Sequence, residues 1–234
     1  MYNNAYSTES NMHSQAGLNA YISKVFGTMF LGLLVTAFAA LFTATSDTMM
    51  ELFYGNNLVF VLLIAELVIV FALSTRVGKM GYGTTQAMFY LYAVINGITL
   101  ASIFYVYELG TIYVSFFTAS ISFGVMAIYG MVTKKDLTNI GNMLMMALIG
   151  VIVAMLINLF VGSETLDIII SFVAVAVFVG LVAYDTQKLK SYYYSSVGDY
   201  QMQRKIAIMG ALSLYLDFIN IFLQLLRIFG SNRD

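Results

Sequence analysis

Seven apolar runs separated by short polar turns constrain this chain more than any other feature. They cover Val25 to Thr45, Leu58 to Thr75, Thr84 to Tyr107, Gly110 to Thr133, Gly141 to Val161, Ile168 to Tyr184 and Ile206 to Leu226. Each is close to the ~20 residues that a helix needs to cross the hydrocarbon layer. Inside a bilayer every backbone N–H and C=O must be satisfied within its own segment, so continuous apolar runs of this length read as α-helices and not as barrel strands. The composition agrees, with 60% hydrophobic residues, 10% charged and a mean hydropathy of +0.85. A soluble domain carries roughly a quarter charged residues. The expected fold is an all-α integral membrane protein, a bundle of seven transmembrane helices. Residues 1–20 read as a polar cytoplasmic tail, 21–230 as one transmembrane domain and 231–234 as a short polar C-terminus.

Charge gives the expected orientation. Lys24, Arg76, Lys79, Lys134, Lys135, Lys188, Lys190, Arg204 and Lys205 all fall at one end of the bundle, whereas the alternate loops hold Asp47, Glu51, Glu108, Glu164 and Asp167. By the positive-inside rule the N-terminus and these nine cations lie in the cytoplasm. Arg227 and Arg233 follow the last run, so a full seventh crossing puts two cations outside, and a segment that dips and returns keeps them inside. The run's 21 residues favour the crossing. The first residues lack a basic start, a leading apolar core and a cleavage site, so no signal peptide is expected there.

Several chemistries are excluded. The chain has no cysteine and one histidine, His13, which removes thiolate sites and histidine metal clusters. Eleven basic residues against twelve acidic give no basic patch for nucleic acid. The glycines between Arg76 and Thr85 follow no strand and form a turn, not a phosphate loop. With no proline in the chain, any helix break is expected at glycine or at a helix end.

Three acids lie within or against a span: Glu66, Asp185 and Asp217. A carboxylate at mid-membrane costs at least ~2.5 kcal/mol and must face a partner, a cavity or a proton. Three acids point to cations or protons as ligand. Gly210, Ser213, Asp217, Asn220 and Gln224 recur at steps of three and four, which places them on one stripe of the last helix. Such a stripe either lines a path or packs against neighbours through interhelical hydrogen bonds.

Asp185 either pairs with Lys188 one turn on or approaches Asp217, in which case the two share a proton and titrate as a unit. Asp217 lies eleven residues past Ile206, about 16 Å along a helix. The two acids therefore meet only if the sixth helix runs beyond Lys190 or the seventh begins before Ile206. Glu66 reads either as a third ligand on a cation path or as a protonated residue bonded to a neighbouring helix. Arg76 reads first as a positive-inside anchor and second as a gate near Asp185. Asn96 and Thr99 read as packing residues, as do Ser115, Thr118 and Ser122.

Ala183-Tyr184-Asp185-Thr186-Gln187, together with Ala211 to Leu223 and Leu225 to Gly230, closely resembles the Bax inhibitor-1 family in its bacterial branch. Val25 to Ala37 and Asn96 to Phe104 are similar to it as well. The resemblance runs from about Gln15 to Gly230. It implies a seven-helix bundle with the last helix central, placed in the bacterial inner membrane and acting as a pH-sensitive calcium leak. It also implies that Asp185 and Asp217 form a hydrogen-bonded, proton-sensing pair that meets calcium transiently, with Arg76 interacting with the pair and Glu66 lining the path. No cofactor is expected; the expected partners are the bilayer, calcium, protons and a membrane protein of unstated identity. Two other functions compete. One is an interaction protein that modulates membrane proteases or stress and cell-death machinery. The other is an intramembrane aspartyl protease, against which stand the absence of proline and of a Gly-x-Gly-Asp sequence at Asp217.

Overall fold

The computed structural model describes residues 2–230, with side chains from residue 15 onward. Seven long helices follow one another: α1 (Tyr2–Ala44), α2 (Leu58–Arg76), α3 (Tyr82–Leu100), α4 (Leu109–Val132), α5 (Thr138–Val161), α6 (Glu164–Ser195) and α7 (Tyr200–Gly230). Among the described residues there is no strand, and all seven helices are long and apolar enough to cross a membrane. The expected polar tail and C-terminal residues fall largely outside the described side chains. Leu18 and Tyr21 are already buried, so packing begins within the last residues assigned to that tail.

Burial is very uneven. In α7, 67% of the most apolar window is buried, against 11% in α2 and in α5. α7 packs on α1, α3, α4 and α6, and the α6–α7 interface is the most extensive in the molecule. α2 packs mainly on α3, and α5 mainly on α6. Outward residues such as Phe60, Ile64 and Phe160 remain exposed, as expected for side chains that meet lipid and not water. Small residues let helices approach closely where lipid offers no hydrophobic drive for association. A Cβ on Gly97 of α3 would lie 2.6 Å from Ala39 Cβ of α1, and one on Gly130 of α4 would collide with the Ala183 backbone of α6.

Local chemistry sets the turns. Gly162, in the left-handed region at φ 66°, ends α5, and Asn158 exchanges two 3.1 Å hydrogen bonds with the Ser163 backbone. Ser163 in turn accepts from Leu166 N–H and caps α6. Asp199 accepts from Met202 N–H at 2.9 Å and starts α7.

α7 is a single uninterrupted helix. Near its end Arg227 pairs with Asp167 Oδ1 at 3.1 Å, in the first turn of α6. The seventh segment therefore runs from the cation-rich end to the acidic end and does not return, and its cation meets an anion there.

The third span departs from expectation. It breaks at Ala101–Ser102 and resumes as a short helix, Ile103–Val106, although neither glycine nor proline stands at the break. Tyr54, in the π-helical turn Glu51–Gly55, supplies the reason. Its phenol lies 2.9 Å from Ile98 O and 2.8 Å from Thr99 O as donor, and accepts from Ser102 N–H at 3.2 Å. One side chain thus satisfies the backbone groups that a break in an apolar medium would orphan.

Candidate functional site

A cavity of about 610 Å³ lies between α2, α5, α6 and α7, and its lining includes Glu66, Asp185, Ser213, Asp217, Asn220 and Gln224. The four polar stripe residues of α7 beyond Gly210 are therefore gathered in one space. The opposite wall is apolar, with Met145, Leu148, Val151, Ile152 and Met155 from α5. Among the described residues no lysine or arginine lines the cavity.

Asp185 reaches this space because α6 continues well past its apolar run. Lys188 stands over the rings of Tyr184 and Tyr192, at 5.3 and 5.4 Å. Gln187 accepts from Leu137 N–H and donates to Lys135 O, both at 2.8 Å, while the Lys190 ammonium donates to Met131 O. These bonds fasten the end of α6 to the turn between α4 and α5. α6 extends beyond Lys190 and α7 begins before Ile206, so the condition for the two aspartates to share one site is met.

Their bonding is unequal. Ser213 Oγ, one turn before Asp217, donates to Asp185 Oδ2. Asp217 is 5% exposed, and its Oδ2 is buried without a hydrogen-bond partner. Gln224, two turns further along the same stripe, is also 5% exposed and its Oε1 is likewise unpartnered. Asn220 returns its amide N–H to Leu216 O at 2.8 Å. The buried floor therefore presents acceptor oxygens to the cavity. A buried acceptor without a donor costs about 1–3 kcal/mol, and a proton, a cation or a water molecule entering the cavity removes that cost. Among the described residues no three acidic or histidine side chains gather as a metal cage.

Glu66 sits in a different setting. Asn96 Nδ2 donates to its Oε2 at 3.2 Å, and Thr99 Oγ1 lies 2.7 Å from its Oε1. Asn96 Oδ1 accepts from the Tyr215 hydroxyl at 2.9 Å, and Tyr215 lies 2.6 Å from Thr36 Oγ1. Asn96, Thr99, Tyr215 and Thr36 were not legible as site residues. The usable signal was a pair of hydrogen-bonding residues one turn apart on α3, beside a helix that carries an acid.

Arg76 is exposed at the end of α2 and lies outside the cavity lining. Among the described residues it makes no ion pair with either aspartate. Ser74, half a turn earlier, is the α2 residue that reaches the cavity at that end.

Seven spanning helices, with a cavity among them lined by three acids, define a multi-pass membrane protein. The chain belongs to the Bax inhibitor-1 family: the family pattern described as "Inhibitor of apoptosis-promoting Bax1" matches residues 18–234. It is 46% identical to the inner membrane protein YbhL of Escherichia coli K12, over 97% of each chain. It is also 39% identical to an uncharacterized protein of Rickettsia prowazekii, over 97% of this chain and 96% of that one. A membrane protein of Streptococcus pyogenes is 36% identical, over 94% of this chain and 96% of its own. The protein is thus a multi-pass cell-membrane protein.

Proposed function

We propose that the protein is a non-enzymatic, pH-sensitive leak for calcium across the bacterial inner membrane, with its N-terminus and its nine clustered cations in the cytoplasm. The observation that carries this reading is the aspartate pair. Asp185 and Asp217 face one cavity from adjacent helices, with Asp217 Oδ2 deprived of any donor. Deprotonated, the pair offers hard carboxylate oxygens suited to a divalent cation. With a proton bound, one acid becomes a donor to the other, the charge falls and the cation loses its ligand. Proton occupancy then biases a two-state bundle in which α2 and α5, the least buried helices, form the outer walls of the cavity. Arg76 stands exposed at the end of α2, outside the cavity lining.

The test is calcium entry into dye-loaded liposomes containing purified wild type, Asp185→Asn or Asp217→Asn across about pH 5 to 8, a range that brackets a perturbed carboxylate. Wild-type flux that changes with pH and loses that dependence in both variants supports the leak. Absence of flux at every pH refutes it and favours the interaction-protein reading, in which the cavity serves docking or packing.

A further inference from the structure

The hydrogen-bonded network around Glu66 sits in the same cavity as the aspartates. Six close polar contacts run from α1 to α2. Thr36 Oγ1 meets Ala93 O at 2.8 Å and Tyr215 Oη at 2.6 Å. Tyr215 Oη meets Asn96 Oδ1 at 2.9 Å, and Asn96 Nδ2 meets Glu66 Oε2 at 3.2 Å. Thr99 Oγ1 meets Glu66 Oε1 at 2.7 Å and Asn96 O at 2.9 Å. Each contact needs one hydrogen.

With Glu66 ionised, Thr36, Tyr215 and Thr99 bring one hydrogen each and Asn96 Nδ2 directs one of its two at the single network contact it makes, since a carbonyl and a carboxylate bring none. Four hydrogens serve six contacts. Thr36 must donate to Ala93 O, so the single Tyr215 hydrogen is contested by Thr36 and Asn96. The single Thr99 hydrogen is likewise contested by Glu66 and Asn96 O. Two oxygen pairs at 2.6–2.9 Å would then face each other with nothing between them.

A hydrogen on Glu66 Oε1 donates to Thr99 and frees the Thr99 hydrogen for Asn96 O. Turning the Asn96 amide gives the other solution: Nδ2 donates to Tyr215, Tyr215 to Thr36, and a hydrogen on Glu66 Oε2 donates to Asn96 Oδ1. Either way one added proton raises the satisfied contacts to five. Both arrangements require it on Glu66, because the other members already carry their hydrogens.

We infer that Glu66 is a second proton-binding site of this protein, distinct from the aspartate pair, and that Asn96, oriented by Tyr215, is the residue that positions it. The site does not depend on the protein being a leak. Tyr215 is fully buried between Phe89 and Tyr92, whose rings meet its own edge-on at 5.9 and 5.7 Å, so the ring is held in place with its hydroxyl between Thr36 and Asn96. The titratable groups that share this space are Tyr92 on α3, Tyr215 and Asp217 on α7 and Asp185 on α6. Among the described residues no lysine or arginine lines that space.

Infrared difference spectroscopy of the full chain in lipid, titrated across about pH 5 to 8, reads this proton without any measurement of flux. The expected result is a protonated-carboxyl band that Glu66→Gln removes and that the double variant Asp185→Asn/Asp217→Asn keeps. Tyr215→Phe should move its titration midpoint by roughly half a pH unit, the size expected for one hydrogen bond. Thr99→Val should shift the band as well, and it serves the same purpose if Glu66→Gln does not fold. A band lost only in the aspartate variants places the proton on the pair and overturns the inference. A Glu66 band indifferent to Tyr215→Phe overturns the positioning role. Flux that fails in the wild type while the Glu66 band titrates refutes the leak and leaves this site standing.

Discussion

Glu66 and Asp217 line one cavity, yet the protein treats them in opposite ways. Glu66 is held by Asn96 and Thr99 from α3, with Tyr215 behind Asn96, whereas Asp217 Oδ2 receives no donor among the described residues. Glu66 stands on a helix that is barely buried, and Asp217 on the helix that is most buried. Burial alone would call for the reverse, because the more buried carboxylate has the greater need of a partner. The difference separates a carboxylate built into a hydrogen-bonded network from one left without a donor.

Substitutions to leucine test this contrast most severely. Glu66→Leu strands the Asn96 amide and is expected to cost about 3 kcal/mol of stability, whereas Asp217→Leu removes an unsatisfied acceptor and is expected to be neutral or stabilising. Reversible unfolding in mixed micelles reads both, and equal losses would erase the distinction. Tyr54→Phe, which frees the backbone groups at the α3 break one turn beyond Thr99, should cost about 2 kcal/mol in the same assay. Ser213→Ala removes the hydroxyl that bonds Asp185 and should cost about 1 kcal/mol; a loss as large as that of Glu66→Leu would mean the aspartate side is also a built network.

The smallest effect belongs to an exposed carboxylate outside the spans. Hydrogen bonds from Thr138, through its hydroxyl and then its backbone N–H, hold Asp136 below the usual carboxylate value. A carboxylate lowered in the folded state adds stability that is present above its unfolded value, near 3.9, and is lost as pH falls through the folded one. Asp136→Ala should leave acid unfolding almost unchanged, because the group is fully exposed to solvent. A shift as large as that from Ser213→Ala would contradict this placement.

Much of the architecture was legible because a bilayer imposes length and apolarity on every span. Seven runs became seven helices, and the three- and four-residue spacing from Ser213 to Gln224 named the cavity side of α7. Helix ends were less legible. Residues 185–195 and 200–205 are rich in Lys, Gln and Tyr, so hydropathy ends there while intrahelical hydrogen bonding continues. The break in the third span was hidden for another reason: its cause is the phenol of Tyr54, more than forty residues earlier in the chain. Asn96 and Thr99 looked like packing residues because their significance depends on α2 lying beside α3, which no periodicity within either helix reveals. Arg76 illustrates the converse. Its position at a helix end was plain, but whether it reached the acids depended on the tilt of α2, and it stands exposed.

The most direct measurement compares wild type with Asp217→Asn in calcium-loaded liposomes titrated through about pH 5 to 8. The account predicts a flux that changes with pH in the wild type and is flat in the variant. A variant that titrates like the wild type would contradict the claim that the unpartnered carboxylate of α7 is the proton-controlled element.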